Sequence, residues 1–165
     1  KNKFFNTKMK QSREKFGLEM IPMNKTKEYF KDQSSKPKGI IFGSDQSPSN
    51  PDKAYWMNFL NQQTGVLFGA EKYAKEFNWP VIYVRINKIK RGHYKAEYEV
   101  ITDQPQYCEH GEITEKYVHF LEKDILNEPS QWIWSHKRWK KSIPKTLNSI
   151  KNEHKKHFNA RFRNI

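Results

Sequence analysis

An α/β layered domain is the fold class that this sequence predicts. Three observations carry it. Short apolar and β-branched runs such as "KGIIFG" and "PVIYVRI" alternate with stretches whose apolar residues recur at three and four. The chain has 165 residues, enough for a domain with its own core. Aromatic residues reach 15%, which argues against a disordered polyelectrolyte even at 30% charged residues.

The elements follow in order. Phe5, Met9 and Phe16 recur at roughly helical spacing among lysines and arginines, and Gly17 is placed to end that helix. "LEMIPM" reads as a short strand closed by Pro22. Residues 26–35 read as a polar helix broken by Pro37. "KGIIFG" fits a strand buried on both faces, which points to a mostly parallel or mixed sheet flanked by helices. "SDQSPSNPDK" is a loop, because its Ser, Asp, Asn and Pro residues favour turns.

Val66, Leu67, Ala70, Tyr73, Ala74 and Phe77 predict a helix over 62–77, ended by Pro80. "PVIYVRI" and "RGHYKAEYEVI", joined across a Gly-containing turn, predict a hairpin. A helix over 113–127 stops before Pro129. "QWIWSHKRW" alternates Trp132, Trp134 and His136 with Gln131, Ile133 and Ser135, and reads as a strand. The tail repeats Leu147, Ile150, His154, Phe158, Phe162 and Ile165 among cations, which is a basic amphipathic helix. Such a helix suits a membrane surface or a partner groove, or simply docks on the core. The domain therefore divides into 1–140 and a basic tail, 141–165.

The net charge is +13, with six histidines counted neutral. Residues 137–165 hold ten Lys and Arg against one acid, Glu153, so they carry +9 and the rest only +4. The expected partner is anionic: a phospholipid surface, a nucleic acid or an acidic protein. One cysteine, Cys108, leaves no internal disulfide and fits a reducing, cytoplasmic setting. No apolar run reaches the roughly 18 residues of a membrane span. The chain starts at Lys1 rather than Met, as a fragment would.

Within "VHFLEKDIL", His119 and Asp124 have the spacing of the H-x4-D acyltransferase signature. On a continuous helix they diverge by roughly 140°. A dyad needs hydrogen-bond reach, which that divergence denies. His119 and Asp124 are therefore expected to be a decoy, with His119 on the solvent side. No H-E-x-x-H, P-loop, GxGxxG or G-x-S-x-G occurs, so no metal and no cofactor are assigned. Asp45 and Gln46 follow directly after an apolar run, where α/β folds bind ligands, although an Asp there also caps turns. Arg85 ends an apolar strand and needs a carboxylate partner or an anionic ligand. "QWIWSHKRWKK" interleaves tryptophans with cations, which suits nucleic acid and a membrane interface equally.

One family matches these motifs. "EPSQWIWSHKRWK" resembles the C-terminal signature of the bacterial lipid A biosynthesis acyltransferases, the lauroyl and myristoyl transferases. It does so at Pro129, Gln131, Trp132, Trp134, His136, Lys137, Arg138, Trp139 and Lys140. "KNKFFN…SREKFGLEMIPM", with Asn2, Arg13 and Gly17, is similar to the segment that follows the family's catalytic block. "IIFGSDQSP" resembles its D-Q loop, and "PVIYVRINKIKRGHYKAEYEV" matches at Pro80, Val81, Arg85, Gly92 and Tyr94. The short D-Q loop and the wording of these segments resemble the Bacteroides-type versions more than the enterobacterial ones.

The resemblance covers roughly residues 1–140. It implies a glycerolipid-acyltransferase-like α/β fold, incomplete here on its N-terminal side. It implies acyl transfer from an acyl carrier protein, or from acyl-CoA, to a lipid hydroxyl at the cytoplasmic face of the inner membrane. It places the catalytic H-x4-D/E upstream of Lys1, so this chain alone is expected to be inactive. Arg13, Asp45, Gln46 and Arg85 become candidates near the acceptor or thioester, and Lys137 and Arg138 for phosphate contacts. The implied partners are acyl carrier protein, an anionic acceptor such as a lipid A precursor, and the membrane surface. The competing readings are a relative with another lipid acceptor and a non-enzymatic basic module that binds nucleic acid.

Overall fold

The computed structural model describes residues 2–31 and 37–163. It forms two compact units, 1–39 and 40–165. The class is α/β, with five helices and two small sheets of two strands among the described residues.

In the first unit, α1 spans Lys3–Glu14 and α2 spans Thr26–Lys31. Asn2 caps α1 by accepting from the Phe5 N–H at 3.2 Å. Gly17, at φ +88°, ends the helix region with its N–H on the Glu14 carbonyl, as its position predicts. "LEMIPM" is extended but not a strand. It has no ladder partner among the described residues, and the Met20 N–H bonds the Glu14 carboxylate at 2.8 Å instead. Of the polar helix expected over 26–35, residues 32–35 lie outside the described residues.

The second unit starts with "IIFG", which also forms no strand. Ile41 is exposed and Phe42 stacks on Tyr73 with ring centroids 6.1 Å apart, so the stretch is not buried on both faces. Next come β1, Tyr55–Phe59, and β2, Gln62–Val66, an antiparallel pair. Leu60 and Asn61 both have positive φ, 49° and 60°, the conformation of a two-residue type I′ turn. The predicted helix over 62–77 is thus shortened at its start. Val66 packs as a strand residue, and Gly65 lies so close to Trp56 that an added Cβ would sit 3.3 Å from its ring. The helix proper, α3, spans Gly69–Phe77 and closes on Asn78 in the left-handed region.

The predicted hairpin forms as β3, Val81–Lys90, and β4, His93–Thr102, turning at Gly92 with φ +77°. Both sheets are antiparallel, which corrects the expectation of a mostly parallel or mixed sheet. The physical reason is local. Each pair is joined by a two-residue turn, and the run expected to supply a parallel strand stays unpaired.

α4 spans Glu112–Asn127 and α5 spans Leu147–Phe162. The core gathers Phe59, Val66, Ala74, Ile113, Tyr117, Val118 and Ile125, with Trp132 and Trp139 packed against it. Burying each large apolar side chain contributes about 1.5–3 kcal/mol. α4 has no side-chain cap of its own; its N-cap is Gly111. Glu71 of α3, fully buried, supplies the cap by accepting from the Gly111 N–H at 2.7 Å and the Thr114 N–H at 2.8 Å.

"QWIWSHKRW" is a series of turns rather than a strand. Its N–H groups bond back locally, from Trp134 to Trp132 and from His136 to Ile133. The tail helix α5 forms as predicted, and its apolar stripe docks on the unit. Phe158 is buried against His110 and Phe68, and Arg161 bridges to Glu76 at 2.8 Å. No helix among the described residues is long and apolar enough to cross a membrane.

Candidate functional site

The alternation of β3 sends Tyr83, Arg85 and Asn87 to the side that meets α4. There Asp124 accepts from Arg85 Nε at 2.5 Å and from the Tyr83 hydroxyl at 2.8 Å. Two further carboxylates flank the guanidinium, Glu99 at 3.7 Å and Glu97 at 4.0 Å. Arg85 therefore has the carboxylate partner that its place on an apolar strand required. The hydrogen bond it donates to Asp124 holds the Arg85 pKa above the usual value. Burial, then the bond to Asp124, pushes the Tyr83 hydroxyl up as well.

A groove of about 520 Å³ opens beside this cluster, between β3 and the end of α4. Its walls include Arg85, Glu97, Leu121, Asp124, Gln131 and Trp132. The volume lies within the range of small-ligand sites. Charged and amide side chains outnumber apolar ones on its walls, so the groove suits a polar group flanked by apolar surface from Leu121 and Trp132. With three carboxylates around one guanidinium, the groove does not offer an uncompensated positive charge.

Asp124 also decides the "HFLEKD" question. It bonds to β3, while His119 on the same helix is exposed. The two residues do not form a dyad.

A second cluster lies behind the groove, where the 44–49 loop meets the 132–141 strap. The Ser47 N–H donates to His136 Nε2 at 3.1 Å, so that nitrogen is the acceptor. Arg138 is buried, donates Nη1 to the Gly65 carbonyl at 2.9 Å and lies over the Phe59 ring at 5.9 Å. Its Nε is buried without a hydrogen-bond partner. Burial lowers the Arg138 pKa, while Tyr117 and Asp45 oppose the shift. Trp139 donates Nε1 to Thr64 Oγ1 at 2.8 Å, and Tyr117 donates its hydroxyl to the Leu67 carbonyl at 2.7 Å. Asp45 is half-buried in the 44–49 loop.

Of the residues singled out in the sequence, Asp45 lies in the loop that meets the strap carrying Arg138, and Arg85 lines the groove. Gln46 and Lys137 are exposed. Arg13 is exposed on α1, in the other unit. Arg138 is not presented to solvent, so a phosphate would need a rearranged strap to reach it. Tyr83, Tyr117 and His136 were not singled out as site residues. Tyr83 was within reach of sequence reasoning, because it stands two places before Arg85 on a strand and shares its face. Tyr117 gave no signal beyond its place in the helix expected over 113–127.

A family model described as bacterial lipid A biosynthesis acyltransferase matches residues 1–141. No curated protein and no solved structure matches the chain.

Proposed function

As this chain belongs to the bacterial lipid A biosynthesis acyltransferase family, we propose that it forms the acceptor-side wall of an enzyme that moves a fatty acyl chain from a thioester to a lipid hydroxyl. The donor is an acyl carrier protein or CoA thioester, and the acceptor is an anionic lipid such as a lipid A precursor. The enzyme works at the cytoplasmic face of the bacterial inner membrane. The observation that carries the reading is the family match, which includes the Pro129–Lys140 signature that folds onto the Asp45 loop.

In the chemistry, a base takes the proton of the acceptor hydroxyl as its oxygen attacks the thioester carbonyl. The resulting oxyanion collapses, the C–S bond breaks, and the thiol leaves with the proton. No histidine among the described residues is paired with a carboxylate: His136 accepts from Ser47, His110 faces His154, and His119 is exposed. The reading therefore draws its base from a histidine–carboxylate pair outside these residues. It gives the groove beside Tyr83 and Arg85 to the acceptor or the acyl chain. Asp45 orients the strap from behind.

The test is an assay of the whole gene product with long-chain acyl carrier protein and acyl-CoA donors, against a lipid A precursor and other hydroxylated lipids. Transfer to the precursor supports the reading. Transfer only to another lipid keeps the chemistry and changes the acceptor. No transfer to any lipid overturns it.

A further inference from the structure

The β3–β4 hairpin has two faces, and only one is packed. Tyr83 and Arg85 turn to α4, as described. The opposite face carries Ile82, Val84 and Ile86 from β3 beside Val100, Tyr98 and Ala96 from β4, in register. Ile82, Val84, Ile86, Tyr98 and Val100 are 52%, 47%, 62%, 72% and 64% exposed. Tyr94, opposite Lys88, carries the exposed face on to the tip at 64% exposure. An unbroken apolar ladder of this kind marks an interaction surface.

Charge selects the occupant. Lys88, Lys90 and Arg91 stand at the tip, and no acid occurs between positions 88 and 96; Lys95, paired with Glu97 at 2.7 Å, belongs to the other face. An apolar face that carries Tyr98 and Tyr94 and meets cations at its tip matches an anionic bilayer surface. The aliphatic groups meet the acyl boundary, the tyrosines the headgroup level and the cations the phosphates. The basic tail, the segment whose sequence pattern most suggests membrane binding, has its apolar stripe turned onto the core through Phe158.

We propose that the outer face of the β3–β4 hairpin docks on an anionic phospholipid surface, with Lys88, Lys90 and Arg91 at the headgroups. This rests on the exposed ladder and its charges, not on the enzymatic reading, and it stands or falls separately from it.

Vesicle co-sedimentation of this chain tests it, with phosphatidylcholine vesicles lacking or containing phosphatidylglycerol. The chain is expected to bind the anionic vesicles and not the neutral ones. Val84→Ser/Ile86→Ser/Tyr98→Ser and Lys88→Glu/Lys90→Glu/Arg91→Glu should each weaken partitioning by about tenfold or more. Both sets are exposed, so circular dichroism should stay unchanged. Lys155→Glu/Lys156→Glu on the tail should alter binding less than about twofold. Absent binding, hairpin variants that bind like the parent, or loss of binding only in the tail variant would each overturn the proposal. So would a dimer in sedimentation equilibrium that the apolar variant dissolves, since a second copy would then cover the face.

Discussion

Asp124 on α4 holds Arg85 on β3 through a 2.5 Å hydrogen bond, and its second oxygen takes the Tyr83 hydroxyl. One carboxylate thereby ties the hairpin to the helix and forms a wall of the groove. Both partners keep only about a fifth of their side-chain surface exposed, 21% and 23%. Losing one leaves the other half-buried and charged. Asp124→Ala is expected to lower unfolding free energy by about 1–3 kcal/mol in urea denaturation. His119→Ala, on the same helix but exposed, should stay within about 0.5 kcal/mol of the parent.

The Glu71 cap makes a second prediction. Glu71→Ala removes the acceptor for two buried N–H groups at the start of α4. A loss of about 2–4 kcal/mol is expected, read as a fall in the urea midpoint. Gly111 and Thr114 should also become the first α4 amides to lose hydrogen-exchange protection.

Acid should loosen the tail helix. His110 Nε2 and His154 Nδ1 lie 2.7 Å apart, among Tyr55, Phe68 and Phe158. Burial first, then His154, pushes His110 down to about 4, and burial lowers His154 too. Tyr55 with Glu115, and the tail's own Lys155 and His157, are the titratable and charged groups around the pair. Both histidines are held neutral in the fold, so the unfolded chain binds more protons below its own pKa of about 6.5. Stability is intact above that pH and falls as pH drops from about 6.5 toward 4. Hydrogen exchange of α5 should accelerate in that window, and His154→Phe should flatten the dependence. An α5 equally protected at pH 7 and pH 4.5 would contradict this.

Arg138 separates packing from ligand contact. Arg138→Ala should destabilise by about 2–4 kcal/mol, because the side chain fills space beside Phe59 and its charge is buried. Arg138→Met keeps the volume and removes the charge, and should recover most of that loss. Lys137→Ala next to it should leave stability within about 0.5 kcal/mol. Thermal or urea unfolding of the three variants checks the order.

The elements legible in the sequence were those whose pattern is settled locally. α4 showed its helical period, β3–β4 its β-branched run and glycine turn, and α5 its repeat from Leu147 to Phe162. β1–β2 was not legible, because its turn uses Leu60 and Asn61 rather than Asn-Gly, and the period of Val66 and Leu67 runs into α3. "LEMIPM", "IIFG" and "QWIWSHKRW" have strand composition, but a strand exists only with a partner, and composition does not name one. Arg85 was legible as a residue needing a carboxylate, yet Asp124, 39 positions away, was not. Arg138 looked like a surface cation because its neighbours are cations; only the packing of Phe59 and Gly65 draws it inside.

We propose that this chain builds a wall of the acyltransferase site while "HFLEKD" supplies no base. The most direct test is the kcat/KM for acyl transfer of the whole gene product carrying His119→Ala, set beside Asp45→Asn. The account predicts that His119→Ala stays within about twofold of the parent, whereas Asp45→Asn falls by about tenfold or more. Loss of turnover in His119→Ala by the factor of about 10² or more expected for a general base would contradict it.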